Sequence, residues 1–144
     1  MKKLTNFIKN VRKNDIIPPY YEDIYDKFLN GECETLVGWL YKYNNNQGMN
    51  LTIYLVPVDE FGDEDWDEKI FHSVYKYQDK FYDINGCFDN IDDIVSKLPY
   101  YDKTTHKIVL EENQIGEDNF YSEIPEHLIK KNNKNKKKYS KNIS

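Results

Sequence analysis

The chain has 144 residues, 39% of them hydrophobic and 15% aromatic, which suffices for one folded core and excludes a wholly disordered chain. Its formal charge of −5 averages two unlike parts, because residues 130–144 carry seven lysines and no acid and leave residues 1–129 near −12. An acidic body argues against nucleic-acid binding, except through the basic tail. We expect one globular domain over 1–129 and a disordered lysine- and asparagine-rich tail over 130–144.

Hydrophobic spacing and turn residues place the secondary-structure elements along the chain. The helical pattern is strongest near the start, where a short amphipathic helix precedes a helix that begins after Pro18-Pro19 and stops at Gly31. In chain order we predict helices over 2–13, 21–29 and 32–43, strands over 51–58, 70–77 and 80–84, a helix over 91–98, a strand over 106–110 and a helical turn over 124–130. This order predicts an α+β fold whose small antiparallel sheet has three or four strands.

The stretch over residues 59–68 contains seven carboxylates, which repel one another and predict an exposed connection. A calcium loop would need a glycine at its sixth position and a glutamate at its twelfth, and this spacing is absent from the sequence. Trp66 lies within the stretch, where an exposed aromatic side chain is a candidate substrate contact or lid.

Cys33 is the first candidate for chemistry, because it opens a predicted helix directly after Gly31. The positive end of the helix dipole and the free amides of the first turn stabilise a thiolate there, and the same amides can bind an oxyanion. The alternative interpretation is a small buried residue on the inner face of an amphipathic helix. The spacing of Cys33 from Leu36, Val37 and Leu40 fits this alternative and, taken alone, favours it.

His72 and Asp83 lie on the two strands of a predicted hairpin, which turns back near Asp79 and brings them together. An imidazole is costly to bury without a partner, and its ordinary pKa suits it to act as general base and then general acid for Cys33. Asp83 would orient the ring and balance its charge. The alternative for His72 is a half-exposed histidine at the edge of the sheet.

The order of these residues resembles the core of papain-like and transglutaminase-like thiol enzymes, and small phage and mobile-element members most closely. The resemblance covers about 55 residues and rests on Gly31-Glu32-Cys33, His72-Ser73-Val74 and Tyr82-Asp83-Ile84-Asn85-Gly86. It implies a papain-like core in which a nucleophile-bearing helix packs on a small antiparallel sheet. It also implies a catalytic triad of Cys33, His72 and Asp83.

This chain departs from the papain-like pattern at the oxyanion site. Papain-like enzymes usually have a glutamine shortly before the cysteine, and Lys27 stands there in this chain. Asn30 is the candidate substitute, and Glu32 and Trp66 are the further candidates for oxyanion or substrate contacts.

The resemblance and the residues together predict a cysteine-dependent amide hydrolase or acyl transferase that acts on a protein or peptide. Peptidase, deamidase and transglutaminase activities all remain open. The alternative is a non-catalytic protein of viral or phage origin, which sequesters a host protein through its acidic surface.

Cysteine usage and hydropathy predict the compartment and the absence of cofactors. Cys33 and Cys87 alone are not a disulfide framework, and we interpret both as reduced thiols. No apolar run reaches the roughly 18 residues of a membrane span, so we expect a cytoplasmic protein without a membrane partner, in the host cytoplasm if it is viral. Cys33, His72, Cys87 and His106 lack the paired spacing of a zinc site, and we expect neither metal nor cofactor.

Overall fold

Within the part of the chain that the structure describes, four helices and a short helical turn accompany one five-stranded antiparallel sheet. The computed structural model describes residues 2–102, 105–116 and 123–129. The helices are α1 (Lys2–Asn14), α2 (Ile24–Asn30), α3 (Cys33–Tyr43) and α4 (Ile91–Val95), with a 3-10 turn at Trp66–Glu68 and one helical turn at 126–129. The strands are β1 (Met49–Pro57), β2 (Ile70–Tyr77), β3 (Lys80–Asp83), β4 (Gly86–Phe88) and β5 (His106–Gln114), in the order β4-β3-β2-β1-β5.

The apolar faces of the first three helices meet the sheet in one hydrophobic core. Helix α1 buries Leu4, Phe7, Ile8 and Val11, the residues that its helical spacing had placed on one face. Helix α3 packs against β2 and buries Leu36, Val37 and Leu40 in the same core. Among the described residues, no helix is long and apolar enough to cross a membrane.

Helix α2 begins at Ile24 and not at Pro18-Pro19, where the prolines predict its first turn. Its first turn is capped by Asp23, whose side chain accepts a hydrogen bond of 2.8 Å from the Asp26 backbone amide. Capping by an aspartate satisfies one of the free amides at a helix start, so the cap determines the start more strongly than the preceding prolines do.

A two-residue turn joins β2 to β3. Gln78 and Asp79 both have positive φ angles, of 50° and 62°, between the paired residues Tyr77 and Lys80. Such a turn has the twist that a tight antiparallel hairpin requires. The predicted hairpin is therefore present, and its turn fixes the register of β2 against β3.

The α+β prediction is confirmed, but the sheet has five strands instead of three or four. The additional strand is β4, which pairs with β3 through Tyr82 and Cys87. The residue types of Asn85-Gly86 predict a turn that closes the hairpin at these two positions. The turn residues are instead Ile84 and Asn85, and Gly86 starts the new strand with a φ of +123°. The stretch over residues 59–68 is exposed throughout, as predicted, whereas the predicted tail over 130–144 lies outside the described residues.

Position 48 requires a glycine, because its backbone lies in close contact with the Tyr75 ring. Its φ is +105°, and a Cβ atom there would overlap the Tyr75 ring, which is fully buried. The Tyr75 hydroxyl accepts a hydrogen bond of 2.9 Å from the Asn44 side chain and donates one to the Gln47 carbonyl, so the ring cannot easily move.

Replacing Gly48 by alanine is expected to lower the free energy of unfolding by about 2 kcal/mol, since backbone strain and steric overlap add. Urea unfolding measures this loss. The matched control is Gly62→Ala, which has a φ of +84° but meets no described residue within 4 Å, and its cost should be about 1 kcal/mol. Equal losses in the two variants would contradict the role given to Tyr75.

Candidate active site

Cys33 is the first residue of α3, and 6% of its surface is exposed. Leu36, Val37 and Leu40, which follow at helical spacing, belong to the hydrophobic core cluster, whereas Cys33 is not among the described members of that cluster. Cys33 is nonetheless one of the buried residues of α3, at the N-terminal end of its inner face. This buried placement agrees with the position that its spacing from Leu36, Val37 and Leu40 predicts.

Strands β2 and β3 bring His72 and Asp83 together. Their Nε2 and Oδ2 atoms are 3.0 Å apart, and the two side chains are 1% and 3% exposed. The register pairs Tyr75 with Tyr82 and Lys76 with Phe81, so His72 and Asp83 point to the same face of the sheet. Since a carboxylate only accepts hydrogen bonds, Nε2 carries the proton of this contact.

Asp83 is held in place by a second hydrogen bond. Its Oδ1 atom accepts one of 2.7 Å from the backbone amide of Asn85, in the turn between β3 and β4. Both carboxylate oxygens are thus used, one by the imidazole and one by the backbone. The turn residues consequently fix the orientation of Asp83 and, through it, the orientation of the His72 ring.

The environment of His72 favours its protonated form. Burial lowers the pKa of His72, but hydrogen bonds with Asp83 and Cys33 and the negative charges of both groups outweigh burial and raise the pKa to about 9. A histidine with this pKa is an imidazolium at neutral pH. It can stabilise a neighbouring thiolate and can give up its proton when a leaving group needs it.

The second ring nitrogen of His72, Nδ1, is not used by the contact with Asp83. Nε2 is engaged by Asp83, and Nδ1 has no well-aligned hydrogen-bond partner among the described residues although it is buried. The thiol of Cys33 is close enough to act on the ring as a hydrogen-bonding neighbour. In enzymes without substrate, such contacts are often poorly aligned and tighten when the substrate binds.

Lys27 and Asn30 are committed to other partners near the start of α3. The Lys27 ammonium lies 2.6 Å from Asp15 and 2.9 Å from the Ile16 carbonyl, and only 7% of the residue is exposed. The Asn30 side chain is exposed and donates to Asp26. The structure therefore does not direct either side chain toward the thiol.

Glu32 precedes Cys33 and occupies the N-cap position of α3. Its side chain makes no capping hydrogen bond with any described residue and lies 4.0 Å from the Lys27 ammonium. The amides of the first turn of α3 are thus not taken by this carboxylate. They remain available to bind a negatively charged oxygen next to the thiol.

Trp66 lies apart from the other candidate residues. Its ring centroid is 5.8 Å from that of Tyr54, and 41% of the residue is exposed. Tyr54 follows Ile53, which pairs with His72 across the sheet, and neighbouring side chains of a strand point to opposite faces. Trp66 therefore packs on the face of the sheet that His72 does not occupy.

Two tyrosines contact the segment that leads into Cys33. The Tyr21 hydroxyl occupies the place that a Cβ atom of Gly31 would take, so Gly31 makes room for this ring. The Tyr100 hydroxyl donates a hydrogen bond of 3.2 Å to the Leu29 carbonyl. Tyr21 opens the predicted helix over 21–29, and Tyr100 follows Pro99 after the predicted helix over 91–98, so no sequence signal connects either of them to Cys33.

Cys87 and the other possible metal ligands lie elsewhere. Cys87 is exposed on β4, where it pairs across the sheet with Tyr82 of β3. Within residues 2–102, 105–116 and 123–129, no group of three or more His, Cys, Asp or Glu side chains is placed to hold a metal ion.

No family model, no curated protein and no solved structure matches this chain. Its function must therefore be argued from the site itself.

Proposed function

We propose that the protein is a cysteine-dependent amide hydrolase or acyl transferase, with Cys33 as nucleophile, His72 as acid and base and Asp83 as the residue that orients the imidazole. The observation that carries the proposal is the buried 3.0 Å contact between His72 and Asp83, which leaves the second ring nitrogen of His72 unpaired among the described residues, in a ring on which Cys33 acts. A buried nucleophile, base and orienting carboxylate in this order are the parts that acyl transfer needs.

The chemistry follows from the two protonation states of His72. The Cys33 sulfur attacks the acyl carbon, and the electron pair of the carbonyl moves onto oxygen. Imidazolium Nδ1 then gives its proton to the leaving amine, and a thioester remains on Cys33. Neutral His72 next takes a proton from water or from a second amine, whose attack releases the acyl group and restores the thiolate.

The proposed papain-like architecture is supported by the same elements. A helix that carries the thiol packs against the strand that carries the histidine, and the carboxylate comes from the next strand of an antiparallel sheet. We propose a protein or peptide as the substrate class, with hydrolysis and acyl transfer distinguished by which nucleophile resolves the thioester.

The proposal is tested by the thioester itself. In a Cys87→Ala background, which removes the exposed thiol, incubation with p-nitrophenyl acetate is expected to add one acetyl group at Cys33, detected by mass spectrometry after proteolysis. The variant that also carries Cys33→Ala should stay unacetylated at this position, and His72→Gln should slow acetylation at least tenfold.

Acetylation of lysines alone, with Cys33 unmodified in the folded protein, would overturn the proposal. It would leave the acidic surface as the basis of function. The carboxylates over residues 59–68 are exposed and suit a basic protein partner. Binding of this kind would be weakened by salt and unaffected by Cys33→Ala.

A further inference from the structure

The segment that runs from the end of α1 into α2 exposes four large hydrophobic side chains. They are Ile16, Ile17, Tyr20 and Tyr25, and Tyr20 is 76% exposed. Single exposed hydrophobic residues are ordinary on a protein, but four within ten residues mark an interaction surface. We call residues 16–25 the 16–25 surface.

The first end of the 16–25 surface is held beside the residue that precedes the thiol. The Ile16 carbonyl accepts a hydrogen bond of 2.9 Å from the Lys27 ammonium. The Glu32 carboxylate lies 4.0 Å from the same ammonium nitrogen. Since Glu32 is the residue directly before Cys33, one lysine ties the surface to the start of α3.

The aromatic part of the surface lies against the backbone two residues before the thiol. The Cζ atom of Tyr21 is 3.1 Å from the place that a Cβ atom of Gly31 would take, and Gly31 itself is exposed. The ring centroid of Tyr20 is 4.7 Å from that of Tyr21. A polypeptide that packs on Tyr20 is therefore one ring away from Gly31 and close to Cys33.

The charges around the 16–25 surface have one sign. Residues 16–34, all of which the structure describes, contain five carboxylates and one lysine. The carboxylates are Glu22, Asp23, Asp26, Glu32 and Glu34. The lysine is Lys27, which is buried and paired with Asp15, so no exposed cation within this stretch offsets the carboxylates. Such a surface favours a partner with lysine or arginine next to apolar side chains, and it repels an acidic one.

We propose that the 16–25 surface binds the substrate polypeptide of Cys33, and that the bound segment carries apolar side chains together with lysine or arginine. The proposal rests on the proposed function, because it names the substrate class of the same site. The apolar side chains pack on Tyr20 and the neighbouring isoleucines, and the cations face the carboxylates. The substrate backbone then passes Gly31, which brings an acyl group to the thiol.

The stretch over residues 59–68 provides the matched control, because it also combines exposed aromatic and carboxylate side chains. Phe61 is 81% exposed, and Glu60 next to it is exposed as well. Tyr20→Ser with Glu22→Gln removes one exposed ring and one carboxylate from the 16–25 surface. Phe61→Ser with Glu60→Gln removes the same two groups from the other acidic stretch.

The test uses three peptides of about ten residues and the full chain in the Cys87→Ala background. The peptides share their leucines and phenylalanines, and the other positions are arginine, serine or glutamate. Fluorescence anisotropy of labelled peptides measures the Kd without any chemistry. The same peptides as C-terminal p-nitrophenyl esters measure acylation, in which the Cys33 sulfur takes the acyl group and p-nitrophenolate leaves.

The arginine peptide is expected to bind about tenfold more tightly than the serine peptide at low salt, and its ester should acylate Cys33 fastest. Added salt should remove most of this advantage, and the glutamate peptide should not bind. Tyr20→Ser with Glu22→Gln should raise the Kd of the arginine peptide about tenfold. Phe61→Ser with Glu60→Gln should change it by less than about twofold.

Each other outcome decides the question. Equal affinities of the three peptides would overturn the proposal, as would equal losses of affinity in the two double variants. Binding that occurs only after the seven lysines of residues 130–144 are changed to glutamine would make that segment the occupant, and would also overturn it. Acylation of Cys33 by p-nitrophenyl acetate would in these cases leave the proposed function intact. Failure of every ester to acylate Cys33 would overturn the proposed function and, with it, the substrate role.

Discussion

At pH 7, Cys33 is expected to react with iodoacetamide about ten times faster than Cys87, although Cys33 is 6% exposed and Cys87 lies at the surface. The imidazolium of His72 acts on the Cys33 sulfur and stabilises the negative charge of the attacking thiolate, which is the source of the expected gain in rate. A stabilised thiolate is intrinsically a weaker nucleophile, and this reduces the gain in rate.

Both rates can be measured in one sample, because peptide mass spectrometry follows the two cysteines separately. Cys87 is the internal standard, and His72→Gln is expected to bring the rate at Cys33 down to that of Cys87 or below. If Cys87 reacts first and Cys33 reacts only in urea, the thiol is a buried structural residue and no thiolate–imidazolium pair exists at neutral pH.

The free energy of unfolding is expected to fall at alkaline pH. The pKa of His72 is raised from 6.5 to about 9 in the folded protein, so the folded state holds a proton that the unfolded chain releases earlier. The stabilisation is complete below pH 6.5 and disappears as the pH rises to about 9. A shift of this size corresponds to about 3 kcal/mol of unfolding free energy.

Urea unfolding at pH 6.0 and pH 9.5 measures the loss. The control is Asp83→Asn, in which the amide oxygen still accepts the Asn85 hydrogen bond but the negative charge beside His72 is removed. This variant should have lower stability at pH 6.0 and a clearly flatter pH dependence. Other titrating groups contribute equally to both proteins, so an unchanged pH dependence in Asp83→Asn would show that His72 is not the group responsible.

Local patterns account for the parts of the fold and site that the sequence predicted. Helices α1 and α3 have long periodic faces, and the hairpin of β2 and β3 has two apolar runs around a polar turn. His72 and Asp83 lie on that hairpin, so their approach depends only on its turn and its register. Periodicity and turn chemistry over a few residues are what a single sequence reports best.

The missed features depend on contacts between distant segments. Strand β4 has three residues, too few to show any alternation, and it forms because β3 offers it an edge. The Lys27 ion pair needs Asp15 from the segment after α1, and Tyr100 reaches Leu29 from 71 residues away. Such contacts are made by the packing of whole elements, and they leave no pattern in the local sequence.

His72 and Asp83 come from one hairpin and Cys33 from a separate helix, so the three residues meet at different stages of folding. His72 and Asp83 are 11 residues apart and joined by a two-residue turn, so closing the loop between them costs little entropy. Cys33 is 39 positions before His72 and meets it only when α3 packs onto β2. The contact between His72 and Asp83 can therefore form early, whereas Cys33 joins it only in the completed fold. Under the proposed mechanism, partly folded chains would thus not carry an activated thiol.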